Sequence, residues 1–202
     1  LGNFVFRTLS FTERFFDGVV PELKDPDNRD QEALAEIESQ KEKIKQSYNS
    51  FRFREAISET MNLARTGNRY FTETEPWKTR KEDPQACANT LYVCTQITAA
   101  LSVLFEPVLP GKMSKLREQL GVPGNAGWGD VTPSMLAAGQ LINPGDILFE
   151  KIEDEAVDRE IQILKERSKE APTSDSSYED LKKETNFGTF SGIDLRAGRI
   201  LE

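Results

Sequence analysis

The stretch PQACANTLYVCTQITAALSVLF, residues 84–105, decides the fold. It is apolar nearly all round at helical spacing, whereas a surface helix is apolar along one stripe only. A helix of this kind is buried on every side, so we expect it at the centre of a helical bundle. Pro107 and Pro110 follow directly and end the helix.

Three amphipathic patterns precede this central helix. The first is rich in aromatic residues, runs from Phe4 to Val19 and ends near Pro21. A turn at residues 25–27 comes before a long charged helix with one narrow apolar stripe. A third helix is predicted from Phe53 onward, and Pro76 ends it. The stripe of the second helix consists of Leu34, Ile37, Ile44, Tyr48 and Phe51.

The remaining sequence is less regular. Residues 112–120 predict a short helix closed by Gly121, residues 121–145 are rich in loops, and residues 157–164 indicate one more charged helix. A linker follows at residues 171–177, and apolar residues then alternate at 193, 195 and 197, which is strand spacing. The sequence therefore predicts an all-α protein, an antiparallel helical bundle with a loop-rich segment and a C-terminal linker tail.

Composition and charge exclude several functions. The chain has 202 residues, a formal charge of −8 and no histidine, so it holds no Ser-His-Asp or Cys-His catalytic group and no histidine metal ligand. The acidic balance argues at first against nucleic acid. However, residues 121–202 carry a net −7, whereas residues 41–81 hold ten basic and five acidic residues. The helical part therefore contains a basic region, which by itself is more typical of a solvated helix face than of a binding site.

The two cysteines favour a protein of a reducing compartment. Cys87 and Cys94 are seven residues apart on one predicted helix, about 10 Å, which is too far for a disulfide. We expect both to be buried, free thiols. No apolar run reaches the length of a membrane span. The chain starts at Leu1 without a methionine and stops after one strand, so we expect a fragment of a longer protein.

One short motif resembles an ATP-binding signature without the context that such a signature requires. Residues 112–115 read Lys-Met-Ser-Lys, which resembles the ATP-loop signature of class I aminoacyl-tRNA synthetases. Leu116 stands where the signature ends in serine, a helix is predicted to begin there, and the companion histidine signature cannot exist in this chain. We expect no catalytic role for this motif and no metal site.

Two groups of polar and aromatic residues could bind RNA. Asn3 and Arg7 are four residues apart and share a helix face, where an amide and a guanidinium can read the edge of a base. Trp77 could stack on bases, and three cations just after it could contact phosphates: Lys78, Arg80 and Lys81. The alternative interpretations are a helix-start residue for Asn3, a surface charge for Arg7 and a core anchor for Trp77.

At these residues the sequence resembles the methionyl-tRNA synthetase family. Three runs occur in the order of that family: Gly-Asn-Phe-Val-Phe-Arg at residues 2–7, Asn-Arg-Tyr-Phe at 68–71 before Glu-Pro-Trp-Lys, and Phe-Glu-Pro-Val-Leu-Pro at 105–110. The resemblance covers residues 1–150 and implies the anticodon-binding bundle of a class I synthetase. It also implies that Asn3, Arg7 and Trp77 contact a CAU anticodon.

The resemblance carries further expectations for the domains and partners. Residues 151–186 would be a charged helix and linker, and residues 187–202 the truncated start of an oligonucleotide-binding (OB-fold) domain. The implied partners are methionine tRNA and the catalytic domain of the same cytoplasmic polypeptide, with no membrane. The fragment itself would use no cofactor. ATP and methionine would bind the absent catalytic part, which the resemblance also allows to hold zinc, and the parent protein could dimerise through the appended domain.

Two other functions stay open at this level. The bundle could be a protein-interaction or scaffold domain in which the basic region serves no RNA. It could also be the anticodon-binding domain of a valyl-, leucyl- or cysteinyl-tRNA synthetase, since these carry related bundles.

Overall fold

The computed structural model describes residues 1–143, 147–150, 152–170, 184 and 186–193. In these residues the protein is all-α, as predicted, and contains no strand beyond one isolated antiparallel bridge between Val19 and Leu141. The helices are α1 (Gly2–Phe16), α2 (Asn28–Asn49), α3 (Phe53–Thr74), α4 (Pro76–Glu82), α5 (Pro84–Leu104), α6 (Pro110–Leu120), a 3₁₀ turn at Trp128–Asp130, α7 (Asp154–Glu170) and α8 (Phe187–Ser191).

Helix α5 is the centre of the bundle. It packs against α1, α2, α3, α4 and α6, and its residues from Cys87 to Leu104 are all buried. The prediction that no apolar run is long enough to span a membrane is wrong for α5, whose length and hydropathy suit a span. However, 94% of its most apolar window is buried inside the protein, so it is a core helix. Cys87 and Cys94 are free and buried, as predicted, and burial raises the pKa of both thiols.

Local sequence signals fix where the helices begin and end. Asp27 caps α2 through a capping box in which its carboxylate accepts from the Asp30 amide and the Asp30 carboxylate accepts from the Asp27 amide. Helices α4, α5 and α6 each begin with proline, which has no amide hydrogen to leave unbonded there. Gly121 ends α6 in the left-handed conformation.

The turn between α2 and α3 differs from the sequence prediction. Phe51 was predicted to continue the buried stripe of α2, but it is 79% exposed. Helix α2 ends at Asn49, and residues 50–52 reverse the chain with Phe51 at a φ of 57°. That reversal turns the Phe51 ring outward and places α3 antiparallel to α2. Ile37 and Ile44 of the same stripe are fully buried, as predicted.

The Lys-Met-Ser-Lys sequence forms the first part of α6. Met113 is fully buried, and Lys112 lies 6.0 Å from the centre of the Phe149 ring. A nucleotide-binding loop of this sequence must be flexible, whereas here one of its four side chains is locked in the hydrophobic core. The motif is therefore structural in this protein.

The chain divides into two compact units, Leu1–Glu150 and Lys151–Glu202. In the second unit α7 is the predicted charged helix, and its predicted apolar residues Val157, Ile161 and Leu164 are exposed. Helix α8 is a single short turn capped by the Asn186 side chain. The predicted linker at 171–177 and all but the first residue of the predicted strand at 193–197 lie outside the described residues, so the appended domain stays a prediction.

A buried polar cluster centred on Asp30 ties the first unit together. The Asp30 carboxylate accepts hydrogen bonds from the Tyr70 hydroxyl of α3 at 2.6 Å and from the Asn89 amide of α5 at 3.3 Å. The Asn89 side chain in turn exchanges two hydrogen bonds with the backbone of Lys24. Burial, and then the hydrogen bond to Asp30, raises the pKa of the Tyr70 hydroxyl.

The cluster predicts the effect of removing one hydroxyl. We expect Tyr70→Phe to lower the free energy of unfolding by about 1–3 kcal/mol, because a buried carboxylate loses a hydrogen bond. The raised pKa adds a pH effect: the stability linked to Tyr70 is complete below pH 10 and declines above it, since only the unfolded state ionises there. Urea denaturation at pH 7 and above pH 10 measures both effects.

Tyr48→Phe is the matched control. Among the described residues the buried Tyr48 hydroxyl has no hydrogen-bond partner, so its removal should leave the stability unchanged or raise it slightly. An equal cost for the two tyrosine substitutions would show that the Asp30 cluster contributes nothing beyond packing.

Candidate nucleic-acid interface

The close approach of α1 to α3 sets the geometry of the candidate site. Gly67 of α3 lies against the ring of Phe4, and a Cβ atom at position 67 would come within 2.5 Å of that ring. Because Phe4 is itself buried, a larger residue at position 67 would force the two helices apart. Arg7 follows Phe4 by three residues and so projects over the next turn of α3.

Arg7 is held by three neighbours. Its Nη1 donates a hydrogen bond to Oδ1 of Asn68 at 3.3 Å. Its Cζ atom lies 4.3 Å from the ring centre of Phe71 and 5.7 Å from that of Trp77. These contacts fix the planar guanidinium on an aromatic surface. A guanidinium has five donor hydrogens, so most of them remain available to a ligand.

Trp77 is both anchored and accessible. Glu75 adopts a left-handed conformation, buried Pro76 begins α4, and Trp77 follows as its second residue. The Trp77 ring lies 6.2 Å from the Phe71 ring at an interplanar angle of 31°, and yet 37% of the residue is exposed. Trp77 therefore anchors to the core through one side of its indole, as the alternative interpretation predicts, while the other side is accessible for stacking.

The aromatic surface continues along α1. Phe11 packs edge-on against Phe71 at 5.3 Å and against Phe15 at 4.9 Å. The Cζ atom of Arg80 lies 4.3 Å above the Phe15 ring. Arginines thus lie over both ends of this row of rings.

The structure brings together some of the predicted residues and not others. Arg7 and Trp77 meet through Phe71, although 70 residues separate them in the chain. Asn3 is exposed one turn before Arg7 on α1. Lys78 is exposed and pairs with Glu75 at 2.8 Å, and Lys81 is also exposed. The Arg80 guanidinium lies over the Phe15 ring. Of the three residues predicted to contact phosphates, Arg80 is thus the one that packs on an aromatic ring.

Sequence reasoning missed the residues that join the site. Asn68 and Phe71 belong to the family-like run at residues 68–71, and Asn68 also to the repeat of the third helix, but their contact with Arg7 was not predicted. Their spacing of three residues places them on one face of α3, and this was the only signal in the sequence. Among the described residues, no group of three or more acidic or thiol side chains is arranged to hold a metal ion.

Comparison with known proteins identifies relatives of the whole chain. A family profile described as the anticodon binding domain of methionyl tRNA ligase matches residues 20–165. Methionine–tRNA ligase of Salinibacter ruber is 42% identical over 98% of this chain, and that of Flavobacterium psychrophilum is 38% identical over all of it. This chain spans 31% and 30% of those two proteins, so it corresponds to less than a third of their length.

Solved structures of a methionyl-tRNA synthetase are also similar to this chain. The free form of Mycobacterium tuberculosis methionyl-tRNA synthetase matches 76% of this chain with a TM-score of 0.71 and 25% identity. The same enzyme with methionyl-adenylate matches 75% with a TM-score of 0.70. This chain corresponds to 32% and 30% of those two structures. The profile match begins after α1, so Asn3 and Arg7 lie outside it, whereas the two sequence relatives cover essentially the full chain.

Proposed function

The chain belongs to the family of methionyl-tRNA ligase anticodon-binding domains. We propose that Arg7, Asn68 and Trp77, grouped around the buried Phe71, read the CAU anticodon of methionine tRNA, and we call these four residues the anticodon face. Trp77 would stack on an anticodon base, and Arg7 together with exposed Asn3 would hydrogen-bond the edge of the first base, cytosine. The observation that carries this proposal is the supported but accessible indole of Trp77 beside a guanidinium that is already oriented.

The physical argument rests on preorganisation. A flexible arginine loses side-chain entropy when it binds a base, whereas Arg7 is already restrained by Asn68 and Phe71. Stacking on an aromatic ring tolerates any base, so the Trp77 ring supplies affinity and the Arg7 and Asn3 side chains supply selectivity. Lys78, Arg80 and Lys81 would contact the phosphates next to the stacked base.

The rest of the intact ligase would perform the chemistry. Methionine activation with ATP and transfer to tRNA would occur in the part of the polypeptide that this chain does not include, and this domain would select the tRNA. The intact protein would act in the cytoplasm. Dimerisation through the appended domain stays a prediction. The named relatives favour this function over a scaffold domain and over a domain of valyl-, leucyl- or cysteinyl-tRNA synthetase.

Chemical footprinting of methionine tRNA on the intact ligase tests the proposal. We expect the three anticodon bases to be protected by the wild-type ligase, because they would lie against the anticodon face. Protection confined to the acceptor end, with the anticodon as reactive as in free tRNA, would contradict the proposed function. It would favour the scaffold interpretation of the bundle.

A further inference from the structure

The charges of α3 are divided between two sides of the helix. Its arginines, Arg54, Arg65 and Arg69, are exposed and fall within an arc of about 60°. Its glutamates, at positions 55, 59 and 73, fall within a neighbouring arc of about 40°. The two arcs adjoin at about 40° from each other, so the two signs are separated around the helix.

The two sides of α3 adjoin different helices. The arginine side borders the edge at which Asn68 meets Arg7 of α1. The glutamate side turns toward α2, and there Glu73 and Arg69, four residues apart, both line a cleft together with Glu32 and Glu36. The three arginines, which we call the arginine track, therefore start beside the anticodon face and lead away from it along α3.

The arginine track is not used for internal ion pairing. Arg54 and Arg65 have no acidic residue three or four positions away on either side. In the described part of the chain none of the three arginines forms an ion pair, and Arg65 is hydrogen-bonded to the Asn62 side chain at 2.5 Å. Arg65 and Arg69 stand one turn apart as like charges, an arrangement that destabilises a helix by about 0.2–0.5 kcal/mol. The track thus lowers helix stability slightly.

We infer that the arginine track binds the sugar–phosphate backbone of the tRNA stem that leads away from the anticodon. Fifteen residues of helix between Arg54 and Arg69 span about 22 Å, and duplex phosphates along one strand recur every ~3.4 Å of axis, so several phosphates fall within its reach. Guanidinium groups bind phosphate through paired hydrogen bonds. Such contacts carry no sequence information and fix the register in which the anticodon meets Arg7 and Trp77. This inference rests on the proposed function.

The salt dependence of tRNA binding tests the inference. The variants are the triple substitution Arg54→Gln, Arg65→Gln, Arg69→Gln and the single Arg65→Gln, each in the intact ligase. We expect the slope of log affinity against log salt to fall by about 3 in the triple variant and about 1 in the single variant. Between 50 and 200 mM salt, the wild-type affinity should then drop about 60-fold more than that of the triple variant.

The controls separate this inference from the proposed function. Lys45→Gln removes an exposed cation from α2 and should leave the slope unchanged. The preference for a CAU anticodon should persist in the triple variant, because the track reads only phosphates. An unchanged slope and affinity in a triple variant that still protects the anticodon would overturn the inference and leave the proposed function standing. A wild-type ligase that does not protect the anticodon would overturn both.

Discussion

Replacing Trp77 with alanine should weaken the binding of methionine tRNA to the intact ligase by about 10- to 100-fold. Stacking of a base on an aromatic side chain contributes about 1–3 kcal/mol, and each 1.4 kcal/mol corresponds to a factor of ten. The substitution also removes the ring that lies beside Arg7, so part of the loss would come from a less restrained guanidinium. The dissociation constant for a CAU anticodon stem-loop, at one fixed salt concentration, measures this effect.

Two further variants show whether the loss comes from stacking. Trp77→Phe keeps an aromatic ring, so its affinity should lie close to that of the wild type. Trp128→Ala removes a tryptophan that packs against Tyr48 elsewhere in the same unit, and it should leave the affinity unchanged. If Trp77→Ala binds the stem-loop as tightly as the wild type does, the stacking role is wrong.

Replacing Arg7 with lysine should abolish most of the discrimination at the first anticodon base. Lysine keeps the charge, but its ammonium group is not a planar fork, so it can neither pair in the same way with a base edge nor lie flat on Phe71. A good bidentate contact contributes about 1–3 kcal/mol of discrimination. We therefore expect the preference for cytosine over uracil at that base to fall by about 10- to 100-fold.

The Arg7 substitution has a control on the same helix. Arg14 is exposed on α1 two turns further along, and Arg14→Lys should leave the preference for cytosine intact. The affinity of the Arg7→Lys ligase for stem-loops that lack cytosine should change little, because the charge near the phosphates is retained. An Arg7→Lys ligase that still prefers cytosine as strongly as the wild type would exclude Arg7 as the reader of that base.

The fold could be predicted from the sequence wherever a single local feature determines the position or the start of a helix. Residues 84–105 are apolar on every side, and this leaves no position for α5 except the core. Asp27 marks a helix start through backbone chemistry that does not depend on distant residues, whereas Pro76, predicted only to end a helix, also begins α4. Phe51 shows the limit: the periodicity of α2 continues through it, but the reversal of the chain at residues 50–52 overrides the pattern.

The candidate site was predictable only in parts. Arg7 and Trp77 could be identified singly, since each has a side chain suited to a base, but their association depends on Phe71, a buried residue that looks in sequence like ordinary core. The approach that aligns them depends on Gly67, whose lack of a side chain has no periodic signature. The net charge of −8 was misleading for a similar reason, because a total does not show on which face of α3 the arginines lie.

The preference of the wild-type ligase for the first anticodon base tests the central claim most directly. The measurement compares two stem-loops that differ only in that base, cytosine or uracil, at the same salt concentration. A readout by Arg7 and Asn3 predicts that the cytosine stem-loop binds about 10- to 100-fold more tightly. Equal affinities for the two stem-loops would contradict the claim that this domain reads the anticodon.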